Sequence, residues 1–562
     1  MKKFTTIVVL CSQIFYASAQ SGLKHLVFLK DKLNNSYSLT TPEEFLTQRS
    51  IDRRLKCNIS FDEKDLPLSP AYLKQIVGQG AKILYSLKWF NAVMITTDDT
   101  LTLGAIRNLP CVDHITAAGN HGQKFRKLEQ GINQISSIQP IKMVPSSAPD
   151  HPASTGSLDY GNSWNQVSML GLNDLHDLGF TGQGKEIVIL DAGYWDVDQG
   201  AAFSYLWQHS LILGSRDFVD PGGNVFIQHT HGESVLSVMA ANLPGEIIGT
   251  APDASYWLLR TEDAWGGEYI GEEYNWAAGA EFADSVGADI ITSSLGYTTF
   301  DDPASNHAYS DLDGNTTPAV IAADLAASRG ILVVNCAGNL GEDPWHYIST
   351  PADGDSVFTV GAVNESRTYQ EFSGKGPTAD GRTKPDAVAQ GYNTAIIYGN
   401  GVLTVGTGTS FSTPVISGAL ACLWQSVSDV TADDVRTAVR NTASQWNSPD
   451  NFMGWGIPDI MAARSNLISI SSNQAIDKEF RRFWLSTNPF PHTPVLNISH
   501  RMDSPVKVEI YSASGQMVNK VDFSLPSAFP QEIEAFGKLP AGFYVVRVQC
   551  GSYQEILHAI KR

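Results

Sequence analysis

Four short segments of this 562-residue chain hold side chains able to act together on a bond. The first, Ile187-Val188-Ile189-Leu190-Asp191-Ala192-Gly193, is an apolar run closed by an acid. The second is His229-Thr230-His231-Gly232-Glu233-Ser234-Val235, which opens a helix-like run through Ala241. The third, Val333-Val334-Asn335-Cys336-Ala337-Gly338-Asn339, is a buried run ending in an amide, and the fourth is Gly406-Thr407-Gly408-Thr409-Ser410-Phe411-Ser412-Thr413-Pro414. A carboxylate, an imidazole and a hydroxyl are the parts of a nucleophile activated by a general base, and an amide N–H suits a developing oxyanion. Each part alone has a plainer reading. An Asp at a strand end forms turns, a His at a helix start caps it, and Asn after Gly turns the chain. The pair His229 and His231 could be half of a metal site, but no third ligand follows at a suitable spacing, so no metal ligand is assigned. A glycine-rich turn before a helix could cradle phosphate, yet neither Gly-x-Gly-x-x-Gly nor Gly-x-x-x-x-Gly-Lys-Ser/Thr is present at 406–414.

Such groups need a scaffold that brings distant segments to one edge. From residue 184, continuous apolar runs at 186–190 and 331–335 alternate with helical segments at 274–286 and 319–328. Continuous apolar strands are covered on both faces, so the pattern predicts an α/β domain with a doubly wound, mainly parallel sheet over 161–470. Asp191 then sits at the carboxyl edge of the sheet, where ligand crevices form. Ser410 opens a helix whose dipole favours developing negative charge, and Pro414 is tolerated in its first turn.

The flanks differ in style. Residues 20–120 form a small α+β unit, with strands expected at 25–29, 81–87 and 92–97, a helix opening at Thr41 and another over 100–109. Residues 121–160 are polar, include Pro145-Ser146-Ser147-Ala148-Pro149, and read as a linker exposed to processing. Short strands at 495–498, 506–512, 542–548 and 555–560 predict a small β-sandwich over 480–562. Net charge follows the same division: +6 over 1–150, −27 over 151–475 and +2 over 476–562. The overall −19 argues against a nucleic-acid or anionic-membrane partner. Met1-Lys2-Lys3, the apolar run 4–16 and Ala17-Ser18-Ala19 have the layout of a signal peptide over 1–19, and no other stretch is long and apolar enough to span a membrane. Five further cysteines, odd in number and widely spaced, do not form a disulfide scaffold; Cys336 and Cys422 lie in apolar runs and are expected to be buried.

Asp191, His231, Asn339 and Ser410 follow one another at gaps of 40, 108 and 71 residues, each inside a matching local motif. In this the chain resembles the subtilisin-like serine peptidases. Asp191-Ala192-Gly193 matches that family's Asp-Ser/Thr-Gly, 231–235 its His-Gly-Thr-His-Val, and 408–414 its Gly-Thr-Ser-Met-Ala-x-Pro. Ala192, Glu233-Ser234 and Phe411-Ser412 depart from the pattern. The resemblance implies a secreted serine endopeptidase made as a zymogen. Asp191, His231 and Ser410 would be its triad, Asn339 an oxyanion donor, and Ser294, Leu295 and Gly296 the strand that pairs with substrate backbone. It implies no required cofactor; calcium is compatible with the family, but the acidic loops Asp301-Asp302 and Asp311-Leu312-Asp313 lack a ligand-loop signature. The rival reading keeps the fold as an inactive adhesin or binding module. The N-terminal unit resembles inhibitory prodomains of secreted subtilases. The C-terminal unit is similar to sorting domains of the Bacteroidetes type IX secretion system, through Asn488-Pro489-Phe490, 508–516, 539–548 and Lys561-Arg562. Expected partners are therefore protein or peptide substrates, the chain's own prodomain, and the secretion machinery that delivers it through the periplasm to the surface or medium.

Overall fold

The computed structural model describes residues 23–119, 137–139, 158–480, 483–486, 490, 493–498, 505–523, 531–551 and 553–561. The signal peptide expected at 1–19 and most of the linker at 121–160 lie outside the described residues.

Period-two alternation builds the N-terminal unit. Strand β1 (Lys24–Leu29) sends Val27 and Leu29 to one face and Leu26 and Phe28 to the other. After it come helices α1 (Gln48–Lys56) and α2 (Pro70–Val77), strands β2 (Lys82–Leu87) and β3 (Ala92–Thr96), helix α3 (Thr100–Arg107) and strand β4 (Val112–Gly119). The strands form one antiparallel sheet in the order β2-β3-β1-β4. Its first face packs on Ile76 of α2 and Ile106 of α3. The helix expected at Thr41 starts later. Thr41 makes no side-chain cap and only a 3-10 turn, Pro42–Glu44, follows it. The Thr47 side chain instead accepts the Ser50 N–H, and α1 begins there. The described piece of the linker, β5 (Ser137–Gln139), pairs antiparallel with residues 405–407.

In the central unit, short helices α4 (Trp164–Ser168) and α5 (Leu172–Asp177) lead into β6 (Glu186–Asp191), α6 (Ser204–Gln208) and β7 (Ile212–Asp217). Helix α7 (His231–Ala240), a small ribbon of β8 (Asn242–Leu243) and β9 (Ile247–Ile248), then β10 (Ser255–Arg260), α8 (Gly271–Val286), β11 (Ile290–Ser293) and α9 (Pro318–Ser328) come next. The unit closes with β12 (Leu332–Cys336), β13 (Phe358–Val363), β14 (Ala387–Gln390), the hairpin β15 (Thr394–Tyr398) and β16 (Val402–Thr407), and helices α10 (Thr409–Gln425), α11 (Ala432–Arg440) and α12 (Ile460–Phe480). Seven strands form one parallel sheet, β14-β13-β12-β11-β6-β10-β7. Ile187, Ile189 and Val334 face the core of α7 and α10, whereas Val188, Leu190 and Val333 face that of α8 and α9. Both faces are covered, as the continuous apolar runs required.

The second face of the N-terminal sheet shares a core with α8. Leu26, Leu87, Trp89 and Met94 pack with Trp276, Ala277 and Ala280. Around that core, Arg53, Arg54 and Lys88 all pair with the fully buried Asp284 of α8. Arg49 pairs with Asp289 and Glu186, and Asp62 with Arg329. The charge contrast read from the sequence is thus concentrated in specific contacts. Helix α12 runs across the interval 470–480, so the central unit passes into the C-terminal one without a break in helix.

The C-terminal unit holds two sheets. One is β17 (Phe483–Ser486), β18 (Val495–Ile498) and, after β19 (Val506–Ser512) and β20 (Met517–Phe523), β21 (Gln531–Glu532). The other adds β22 (Gly542–Cys550) and β23 (Tyr553–Lys561) in the order β20-β19-β22-β23. They enclose a separate core that includes Phe490, Val508, Ile510, Phe536 and Val546. Among the described residues no disulfide is formed, and Cys336 and Cys422 are buried.

Candidate active site

Asp191 ends β6 and is wholly buried. Its Oδ1 accepts from Ala192 N at 2.7 Å and lies 2.8 Å from Nδ1 of His231, the first residue of α7. That approach needs Gly232: a Cβ there would stand 2.3 Å from the Gly193 carbonyl oxygen and 3.1 Å from the Asp191 Cβ. His231 Nε2, by contrast, is buried with no hydrogen-bond partner.

Ser410 is the second residue of α10 and 1% exposed. Its Oγ donates to the Ser294 carbonyl at 3.3 Å, and Ser294 Oγ donates back to the Ser410 carbonyl at 2.9 Å. The Leu295 carbonyl accepts from Asn335 Nδ2 at 3.1 Å, so β12 fixes the strand 294–296 beside Ser410. Asn339, beyond β12, accepts through Oδ1 from Thr409 N at 2.8 Å and Thr409 Oγ1 at 2.9 Å. With its oxygen engaged, the amide has Nδ2 as its donor end. The residues singled out from the sequence thus fall into two hydrogen-bonded groups: Asp191 with His231, and Ser410 with the strand 294–296 and, through its neighbour Thr409, with Asn339. The His231–Ser410 hydrogen bond is not made.

In the His229–His231 pair, one nitrogen of the first ring is taken up locally. His229 Nδ1 accepts the His231 backbone N–H at 3.1 Å, and its ring meets Trp265 edge-on at 5.2 Å. The acidic loops noted in the sequence are also tied locally. Asp302 accepts from Ala304 N, Asp311 from Ala308 N and Asp313 from Asn315 N, each tying a local turn. Among the described residues, the carboxylates that do converge are Glu262, Glu268 and Glu272, whose oxygens lie within 4.8 Å of one another. Their spacing in sequence gave no hint of it, because a loop fold brings them together. An acidic cluster alone identifies no ligand.

Glu233 and Ser234, noted only as departures from a motif, act with Ser237 to anchor the start of the helix that carries His231. Glu233 Oε2 accepts the Gly399 N–H at 2.9 Å, Ser234 Oγ donates to the Ile397 carbonyl at 2.8 Å, and Ser237 Oγ accepts the Ile397 N–H at 2.8 Å. These bonds tie the helix of His231 to the hairpin β15–β16, which leads into α10 and Ser410. Burial pushes the Glu233 carboxyl up to about 8, helped by the nearby charge of Asp196. Its Oε1 has no partner.

Comparison with known proteins agrees with this architecture. Residues 214–456 match the profile of the Subtilase family, 24–134 that of the Peptidase S8 propeptide domain of Bacteroidota, and 487–562 that of a secretion system C-terminal sorting domain. Subtilisin E of Bacillus subtilis is 27% identical over 374 residues, covering 64% of this chain and 88% of its own. Subtilisin DY of Bacillus licheniformis is 28% identical over 290 residues, covering 51% and 92%. The prenylagaramide maturation protease PagA, a solved structure, is similar over 53% of this chain and 98% of its own, at 21% identity and a TM-score of 0.41.

Proposed function

From a chain that carries a subtilase-family domain and is a serine-type endopeptidase with a propeptide, we propose that Asp191, His231 and Ser410 are its catalytic triad. The observation that carries this reading is the 2.8 Å contact between Asp191 Oδ1 and His231 Nδ1. A carboxylate on Nδ1 keeps the proton on that nitrogen, so the unpartnered Nε2 faces the reaction as a base. Nε2 takes the Ser410 proton as Oγ attacks the peptide carbonyl, and returns it to the leaving amine. Asp191 stabilises the imidazolium formed between these steps. Asn339 Nδ2 and the Ser410 backbone N–H, at the start of α10, donate to the tetrahedral oxyanion. The strand Ser294, Leu295 and Gly296 pairs with substrate backbone, which selects extended segments.

The N-terminal unit acts as inhibitor until it is cut away, and its seat on α8 supports this. The sorting domain makes the protein a secreted or cell-surface one; passage through the periplasm and recognition by the secretion machinery belong to the proposal. No helix among the described residues is long and apolar enough to cross a membrane. No cofactor enters any step. The decisive experiment is labelling of the processed protein with a fluorophosphonate, beside its Ser410→Ala form. Labelling and peptide hydrolysis should both vanish in the variant. Hydrolysis that persists in Ser410→Ala would remove the triad assignment.

A further inference from the structure

Where the N-terminal unit meets the loop after β10, a lysine ammonium occupies a notch in the peptidase domain. Lys24 reaches from β1 into a small cavity whose peptidase side is Val219, Asp263, Tyr269, Gly271, Glu272 and Asn275. Its Nζ donates to the Val219 carbonyl at 2.6 Å. Burial lowers it to about 8, opposed by the charges of Asp263, Glu272 and Asp217, while Arg260 adds to the lowering. The notch is built rather than incidental. Glu272 accepts from Asp263 N at 2.8 Å and Tyr269 N at 3.2 Å, which fixes the loop's shape. Arg260 holds Asp217 at 3.0 Å and Asp263 at 3.1 Å. Gly271 leaves room for a backbone: a Cβ there would lie 2.2 Å from the Ala118 carbonyl oxygen.

The notch borders the cleft. Trp265 of the same loop meets His229, whose ring is 6.5 Å from that of His231. Tyr297, one residue beyond the strand 294–296, donates to Glu262 at 3.4 Å, within the carboxylate group that includes Glu272. The chain direction places it as well. The prodomain leaves the notch at Gly119, and the described linker strand β5 pairs with β16, which runs into Ser410. A peptide entering in the same sense meets the notch with residues on the amino side of the bond to be cut.

We propose that this notch, filled by Lys24 in the zymogen, is in the released enzyme a subsite for a basic side chain, lysine or arginine, upstream of the scissile bond. The proposal rests on the endopeptidase reading of Ser410. Departure of the prodomain withdraws Lys24, which the charges of Asp263, Glu272 and Asp217 act on, while Arg260 stays paired with Asp217 and Asp263. It leaves an anionic pocket with a directional carbonyl acceptor, which an ammonium or guanidinium satisfies and a carboxylate does not.

The test uses the processed enzyme and fluorogenic peptides carrying Lys, Ala or Glu at each of the six positions before the scissile bond. At one of the positions kcat/KM should be about five- to tenfold higher for Lys than for Ala, with Glu lower still, as for a partly exposed ion pair. The preference should shrink in about 1 M salt, where screening acts within about 3 Å. Asp263→Asn should flatten the preference for Lys over Ala at that position to within about twofold. Glu272→Gln is a second variant should the first not fold. Equal cleavage of Lys, Ala and Glu peptides at every position overturns the subsite and leaves the triad standing. A wild-type enzyme that takes up no fluorophosphonate and cuts none of the peptides overturns the triad reading, and the subsite with it.

Discussion

Ser410 Oγ donates to the Ser294 carbonyl while His231 Nε2 has no partner, so the candidate nucleophile and base are not hydrogen-bonded to each other. The proposed mechanism requires Ser410 Oγ to leave the Ser294 carbonyl for His231 Nε2, and catalytic hydrogen bonds are commonly long or poorly aligned before substrate binds. Asn339→Ala should leave the fold intact and lower kcat by about 10²–10³, the effect of losing one oxyanion donor, with KM little changed. A fall in KM-dependent binding alone would show that Asn339 serves only to hold Thr409. Glu233 yields a pH prediction. Its folded pKa, about 8, lies above the ordinary carboxyl value, so the native state holds its proton more tightly than the unfolded chain does. Its contribution to stability is full below about pH 4.5 and is lost as pH rises to about 8. Glu233→Gln keeps an acceptor for the Gly399 N–H and removes the titration. It should raise Tm at pH 9 relative to wild type, and the gain should fade toward pH 5. An equal shift at both values would mean the carboxyl does not titrate in this range.

Strands and helices carry the next level of control, and Asp284 on α8 is its centre. Burial alone would push this carboxyl up, but Lys88, Arg54 and Arg53 outweigh it and hold it near 2. Its contribution to holding the prodomain is therefore present above the ordinary value near 4 and lost only as pH falls below that. Removing one partner of a buried charge set costs about 3–5 kcal/mol. Asp284→Ala should thus weaken inhibition of the processed enzyme by separately added residues 20–120 by at least about a hundredfold. Activity of the variant without inhibitor should be unchanged, because Asp284 touches no reacting group. Salt divides the interface. The Asp284 pairs are buried, whereas Arg49 and Asp62 are 38% and 50% exposed in their pairs with Asp289 and Arg329. Inhibition should weaken only a few-fold between 0.1 and 1 M salt; collapse of inhibition at high salt would show that the rim, not Asp284, holds the prodomain.

At the scale of the molecule, the N-terminal sheet and the central unit share a core, whereas the C-terminal unit has its own. The C-terminal core draws its residues from 485 to 559, among the described residues, and none from the peptidase clusters. Truncation after Phe480 keeps α12 whole and should leave the peptidase activity of purified enzyme within about twofold. In the native host the same truncation should stop surface delivery and retain the protein in the periplasm. Normal appearance of the truncated form at the surface would contradict the sorting role.

The apolar runs at 186–190 and 331–335 were legible as covered parallel strands, because a strand packed on both faces leaves no alternation to read. The order of Asp191, His231, Asn339 and Ser410 was legible too, since each sits in a local motif set by backbone geometry at a sheet edge or helix start. The start of α1 was not: two Thr residues in similar company differ only in which side chain reaches a backbone N–H three residues on. The gathering of Arg53, Arg54 and Lys88 on Asp284, the joining of Glu233 to Gly399, and the seat of Lys24 beside Asp263 are contacts between residues far apart in sequence. Local propensity carries no information about such pairs, because their energy comes from water excluded by surfaces that only the folded chain brings together.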